Sequence, residues 1–337
     1  MHKGEGEMER EAYFDNAKLL LIFLVVFGHV IQPFTIDSPG VNTLYMWIYT
    51  FHMPAFIFLA GFFAKGSGNK EYIVKLAKKL LVPYIIFQLI YTSYYFLIGK
   101  SGFQADVFYP HWSLWFLLSL FCWHLLLSIF KRIPAPIGIA LSVVIGIVVG
   151  YFGEIGHQFS LSRTFVFFPF FLIGYWVTKD HVFWLKRKSV KIISVMTMVV
   201  VAVAIYLAPE LNTGWLLASK SYGDLGLPEY GGLARFLVYA TSSLMAISVL
   251  AWIPLKQFQW TKLGQRTLYV YLLHGFIVQY FRKEELFYVN GIFDLLGLAA
   301  ISVAIVFLLS SKPVQGISQP FIECKASIMR KYVSSVK

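Results

Sequence analysis

Asp15, Lys18 and His29 are the residues whose types and spacing most directly suggest chemistry. They bracket one apolar run, Leu19 to Gly28. Lys18 and His29 are eleven residues apart, which on an α-helix is three turns plus about 20°, so the two side chains share a stripe roughly 16 Å long. Asp15, three residues before Lys18, joins it. A neutral imidazole in such a place can take a proton from an attacking hydroxyl, and a lysine at the helix entrance can meet an anion. An ionisable group inside hydrocarbon costs a few kcal/mol and usually faces a cavity or a partner. The plain alternative for His29 is a core histidine satisfied by a neighbouring helix.

Other residues join these by depth. At 1.5 Å per residue, His29 lies about 18 Å above the inner boundary of its span, and His52 about 12 Å below the outer boundary of the next. Arg163 and Trp112 open two further spans from the outer side, and these groups are expected to converge on an outward-opening cavity. His124 and His274 lie closer to the cytoplasm. The segment 209–232 interleaves Trp215, Tyr222 and Tyr230 with Asn212, Asp224 and Glu229. Flat aromatics beside polar groups suit a carbohydrate, and aromatics are equally expected at any membrane interface. Pro54, Gly61, Pro83 and Pro169 permit a cavity between helices.

The elements that must position these residues follow from composition. The 337 residues are 58% hydrophobic and only 14% charged, with a mean hydropathy of +0.67, far from an ordinary soluble domain at about 25% charged. The chain is therefore expected to be an all-α, polytopic membrane bundle. A span needs about 20 apolar residues, which gives ten helices, at 14–33, 44–64, 80–98, 112–130, 134–152, 163–178, 190–208, 233–254, 264–281 and 292–311. With both termini cytoplasmic, the inner segments hold 23 of the 29 basic residues and the outer segments 6, as the positive-inside rule requires. The net charge of +12 then reflects topology and anionic lipid, with no nucleic-acid partner expected. Cys122 and Cys324 give neither a disulfide framework nor metal spacing, and no metal site is expected. No cleavable signal is evident. One membrane domain, 1–311, is followed by a basic cytoplasmic tail, 312–337.

Five segments in chain order resemble the acyltransferase-3 family of membrane enzymes. Asp15-x2-Lys18-x10-His29 is similar to that family's first-helix signature, and Phe58-Leu59-Ala60-Gly61-Phe62 to its second-helix end. Trp112-Ser113-Leu114-Trp115-Phe116-Leu117 resembles its Leu-Trp-Phe-Leu segment. Arg163 through Phe170-Phe171-Leu172-Ile173-Gly174 resembles its Arg…Phe-Phe-x-x-Gly helix, and Gly264-x2-Thr267 through Tyr271 and His274 its Gly-x-x-Ser…Tyr-x-x-His segment. The subgroup most resembled is the fucose 4-O-acetylase-like one. Departures are Lys18 where arginine is common, which excludes a bidentate guanidinium contact there, Ala60 where the small residue is often serine, and Thr267 for serine.

The resemblance implies a ten-helix O-acyltransferase of the cell membrane. It would move an acyl group, expected to be acetyl from acetyl-CoA, to a hydroxyl of an extracytoplasmic acceptor such as a surface or exported glycan. His29 is then the expected general base, and Lys18 the donor-phosphate or entrance residue. Arg163 is an oxyanion or acceptor contact and His274 a further catalytic candidate. His52, Trp112, Trp115 and Trp215 are expected substrate contacts. A transporter that uses the buried histidines as a proton relay is the alternative reading, although no repeat relates the two halves.

Overall fold

The structure is a computed structural model that describes residues 3–66, 68–208 and 211–325, with side chains from residue 11 onward. Among these residues it is all helix and loop, without a strand. In chain order the helices are α1 (Lys3–Ile31), α2 (Pro39–Phe62), α3 (Lys70–Leu97), α4 (Trp115–Phe130), α5 (Ala135–Val148), α6 (Leu161–Trp176), α7 (Lys179–Trp184), α8 (Lys188–Leu207), α9 (Gly214–Leu217), α10 (Gly231–Trp252), α11 (Thr267–Lys283), α12 (Ile292–Leu309) and α13 (Lys312–Glu323). A helix lies over every span expected from the sequence. Six are long and apolar enough to cross a membrane: α1, α2, α6, α8, α10 and α12. Helices α4 and α5 are apolar but shorter.

Where boundaries differ from expectation, a local cause is visible. Helix α3 begins ten residues before the expected span, because Lys70, Lys75, Lys78 and Lys79 are good helix formers and Asn69 Oδ1 caps the helix by accepting from the Tyr72 amide at 2.9 Å. Helix α4 begins at Trp115 and not at residue 112, because Trp112 holds a left-handed backbone (φ 39°) that a helix cannot include. Part of the expected tail is helix α13, which packs on α3, α11 and α12. Its polar Gln315, Ser318 and Gln319 turn inward, while Pro313, Ile317 and Phe321 form an exposed stripe one turn apart. That is the inverse of a soluble helix and suits a lipid-facing element. The rest of the tail, 326–337, lies outside the described residues.

Helix α2 is the hub, packed against α6, α10, α1 and α8. Its crossing with α6 is a reciprocal pair of glycines. A Cβ on Gly61 would lie 1.9 Å from the Phe171 carbonyl oxygen, and one on Gly174 would lie 2.0 Å from the Phe58 carbonyl oxygen. Two backbones touch there, as small residues allow in lipid.

Helix α1, the C-terminal end of α10 and the approach to α11 are tied by two adjacent side chains of α1. Asn16 Nδ2 donates to the carbonyls of Pro254 and Lys256, each at 3.0 Å, and its Oδ1 accepts from Thr261 Oγ1 at 2.8 Å. Asp15 accepts from Gln265 Nε2 at 2.7 Å, and its carbonyl presses on Gly264, where a Cβ would meet it at 2.0 Å. On the neighbouring loop, Lys186 Nζ donates to the last carbonyls of α10, at Leu250, Ala251 and Ile253. Burial, with Lys191 nearby, pulls its ammonium down to about 8. Replacing Asn16 with alanine removes the donor to two partly buried carbonyls and the acceptor of the buried Thr261 hydroxyl. The expected loss is about 1–3 kcal/mol, read as a lower Tm of the detergent-solubilised protein.

Candidate active site

His29 stands in the last turn of α1. Gly28, beside it, lets the Tyr49 ring of α2 come close, since a Cβ there would lie 2.9 Å from the ring. Tyr49 Oη is 3.2 Å from His29 Nδ1. Two more rings close on the imidazole: Trp112 at 4.2 Å between centroids, and His274 of α11, nearly parallel, at 5.5 Å. The left-handed turn at Trp112 aims its indole inward, and Gly275 makes room for it, because a Cβ would stand 2.9 Å from the indole and 2.2 Å from Tyr91 Oη.

Hydrogen bonding sets two of the three histidine tautomers. A carbonyl can only accept, so the Nδ1 of His274, 2.9 Å from the Val270 carbonyl, carries a proton, as does the Nδ1 of His52, 3.0 Å from the Ile48 carbonyl. The Nε2 of His274 is buried with no partner. His52 packs on the other side of Tyr49, ring centroids 4.4 Å apart. Thus His29, His52 and Trp112 come together as expected, and His274, expected closer to the cytoplasm, stands beside them.

An apolar cavity of about 210 Å³ has His29 on its wall. On α1 its wall is Ile22, Val25 and His29, which is two turns or about 10 Å of rise. Met53, Phe56 and Ala60 of α2 line another side, and Trp115, Phe116, Leu120, Leu268 and Tyr271 complete an almost wholly hydrocarbon passage. The polar groups on its wall include Ser113, whose Oγ is buried and unpartnered. Tyr271 Oη donates to the Ser113 carbonyl and so holds that turn in place. Arg163 lies over the Trp115 ring at 5.0 Å and donates from Nε to the Leu217 carbonyl at 3.1 Å. It therefore reaches the passage through Trp115.

Two expected residues stand apart. Lys18 is paired with Asp15 at 2.7 Å and does not line the passage. Its ammonium is 5.6 Å from the Phe63 ring, and Phe63 belongs to a second hollow of about 590 Å³, shared with Phe62, Lys65, Tyr175, Trp176 and Lys179. Lys65 there is partly buried, which lowers its pKa. Trp215 packs with Tyr222 and Leu225 in a small separate cluster between α8 and α10, where its carbonyl accepts from Arg235 at 2.6 Å.

Tyr49 and Arg282 were not singled out from the sequence, and Ser113 and Tyr271 were named only as parts of motifs, without a role. Tyr49 had a signal, being three residues before His52 and so on its face of the helix. Ser113 adjoins Trp112. Arg282 had none: from the end of α11 it lies 5.3 Å from the Trp112 ring and donates from Nη2 to the His29 carbonyl and, at 2.7 Å, to Gln32 Oε1.

All of this geometry falls within one region of known kinship. The profile of the acyltransferase domain matches residues 11–311. The chain belongs to the acyltransferase-3 family. Two curated relatives carry the name Nodulation protein NolL. The one from Sinorhizobium fredii (strain NBRC 101917 / NGR234) is 26% identical over 324 residues, covering 86% of this chain and 83% of the relative. The one from Mesorhizobium japonicum (strain LMG 29417 / CECT 9101 / MAFF 303099) is 24% identical over 341 residues, covering 89% and 86%. No solved structure matches the chain. The protein is an acyltransferase, and the passage, its histidines and both arginines lie inside the matched region.

Proposed function

We propose that this acyltransferase spans the bacterial cell membrane ten times with both termini inside, and that it carries acetyl from cytosolic acetyl-CoA to a hydroxyl of a surface or exported glycan. The observation that supports this most is the hydrocarbon-lined cavity whose wall on α1 runs from Ile22 to His29. An apolar cavity with an imidazole on its wall suits the pantetheine arm and its acyl group. The hollow at Phe63 suits the charged head of the donor: its lysines Lys65 and Lys179 bear on phosphate, Lys18 stands at its rim, and Phe63 is one turn from Ala60 of the passage.

The chemistry follows from the atoms in place. With Nδ1–H donated to Tyr49 Oη, the Nε2 lone pair of His29 takes the proton of the acceptor hydroxyl. The oxygen attacks the thioester carbon, and the carbonyl electrons move to oxygen. Ser113 Oγ–H is the nearby free donor for that oxyanion, with Arg163 behind Trp115 adding positive charge in a water-poor site. Collapse expels the CoA thiolate, which takes the proton back from imidazolium. Tyr49 is a positioning residue in this scheme. Tyr49→Phe is expected to lower kcat about tenfold with the donor KM unchanged, because it removes the group that holds Nδ1–H; an equal rise in KM would make it a binding residue instead.

Orientation and transfer are tested together. In a Cys324→Ser background, an exposed cysteine at Ser189 is expected to be shielded from an impermeant thiol reagent in intact cells, and one at Glu229 to be labelled. Inverted membrane vesicles supplied with radiolabelled acetyl-CoA are expected to load the label onto glycan in their lumen. Labelling at Ser189 with Glu229 protected reverses the sides. Absence of luminal label, with the protein intact, overturns acetyl transfer.

A further inference from the structure

The outer end of α11 carries a second polar group of residues that the transfer step does not use. Arg282 is mostly buried, and its Nε has no partner. One turn before it, Gln279 is 4% exposed, and its Nε2 is likewise unpartnered while its Oε1 accepts from Lys100 Nζ at 2.9 Å. Lys100 lies 4.2 Å above the ring of Tyr95. Tyr95 is 1% exposed, and its hydroxyl is a third buried donor without an acceptor. Two cations and three spare donors thus gather where α3 ends against α11. Among the described residues no carboxylate lies within ion-pair distance of Lys100 or Arg282, although Asp37 and Glu285 line the same 400 Å³ outer hollow as Arg282.

Such a group is unbalanced in a specific sense. Buried donors are normally matched by acceptors, and buried cations by anions. Here every spare group is a donor or a positive charge. Burial and the Arg282 charge hold Lys100 down to about 8, as expected of a cation facing another cation. An oxyanion would accept from all of them at once, with charge-assisted bonds.

We propose that Lys100, Tyr95, Gln279 and Arg282 form a binding site for an oxyanion, a carboxylate or a phosphate, borne by the acceptor. The site rests on the proposed transferase reading only for the acceptor's side of approach. Arg282 joins it to the reaction centre, because the same guanidinium holds the His29 carbonyl and stacks on Trp112. An acceptor anchored here would present a neighbouring hydroxyl towards His29, and a neutral acceptor would lack that anchor.

The test is binding, with no transfer needed. Full-length protein in neutral maltoside detergent is titrated with glucuronate, glucose 6-phosphate and glucose at fixed ionic strength, and thermal unfolding is followed. Saturable stabilisation by one or both acidic sugars, and none by glucose, is expected; which acid binds assigns carboxylate or phosphate. Lys100→Gln is expected to weaken that binding about tenfold or more. Gln279→Glu places a carboxylate among the donors from the chain itself, and is expected to raise the Tm of the free protein and block both acids. Equal response to all three sugars, no response to any, or wild-type binding in Lys100→Gln overturns the site and leaves only ordered water there. That result would leave acetyl transfer standing with a neutral acceptor, whereas failure of transfer alone would leave the anion site standing.

Discussion

Acetyl transfer by His29→Gln is expected to fall by about 10²–10⁴-fold, while the variant inserts, solubilises and melts like the wild type. Glutamine keeps a hydrogen bond to Tyr49 and fills much of the same space, but it cannot take up a proton at neutral pH. The backbone role of position 29, the carbonyl held by Arg282, is untouched by the change. A base that only deprotonates the acceptor is felt in kcat, so the donor KM is expected to stay within about twofold, since uniform binding is not removed. The measurement is the rate of label transfer per folded molecule, with His29→Ala as the companion that also opens the passage. Near wild-type transfer by His29→Gln would move the base to His274, whose free Nε2 sits in the neighbouring ring.

The second large effect is on folding. Gly174→Ala adds one methyl group at a point 2.0 Å from the Phe58 carbonyl oxygen, where no rotamer can relieve the clash. Overpacking of a side-chain core costs about 1–3 kcal/mol; a collision with backbone forces α2 and α6 apart along their whole crossing and is expected to exceed that range. Helix α2 carries Tyr49, His52 and the Met53 and Phe56 wall of the passage, so activity should go with stability. Gly297→Ala is the control, because that glycine of α12 is exposed and a Cβ there meets nothing within 4 Å. It is expected to match the wild type or exceed it by less than about 1 kcal/mol. The comparison is thermal unfolding in detergent with yield in the membrane fraction; an unshifted Tm for Gly174→Ala would mean that the two helices are not in backbone contact.

Much of this protein was decided locally. A bilayer leaves the backbone no partner but itself, so runs of about 20 apolar residues became helices where they were expected. The 3.6-residue period alone put Asp15, Lys18 and His29 on one stripe, and the Asp15–Lys18 pair at its foot followed from a spacing of three. His29 and His52 could be brought to a similar level by counting residues along their helices, whereas the same count left His274 closer to the cytoplasm. Tertiary structure decided which faces meet. Lipid tails are as apolar as leucine, so hydrophobicity does not tell a helix which side to bury, and the choice fell to close contacts such as Gly61 with Phe171, Gly174 with Phe58, Gly28 with Tyr49 and Gly275 with Trp112. Those contacts set His274 beside His29, swung Arg282 onto the end of α1, and left Lys18 outside the passage that its stripe had pointed along. The inward polar face of α13 and the left-handed turn at Trp112 have the same origin: each is held by partners distant in the chain, and no local period could announce them.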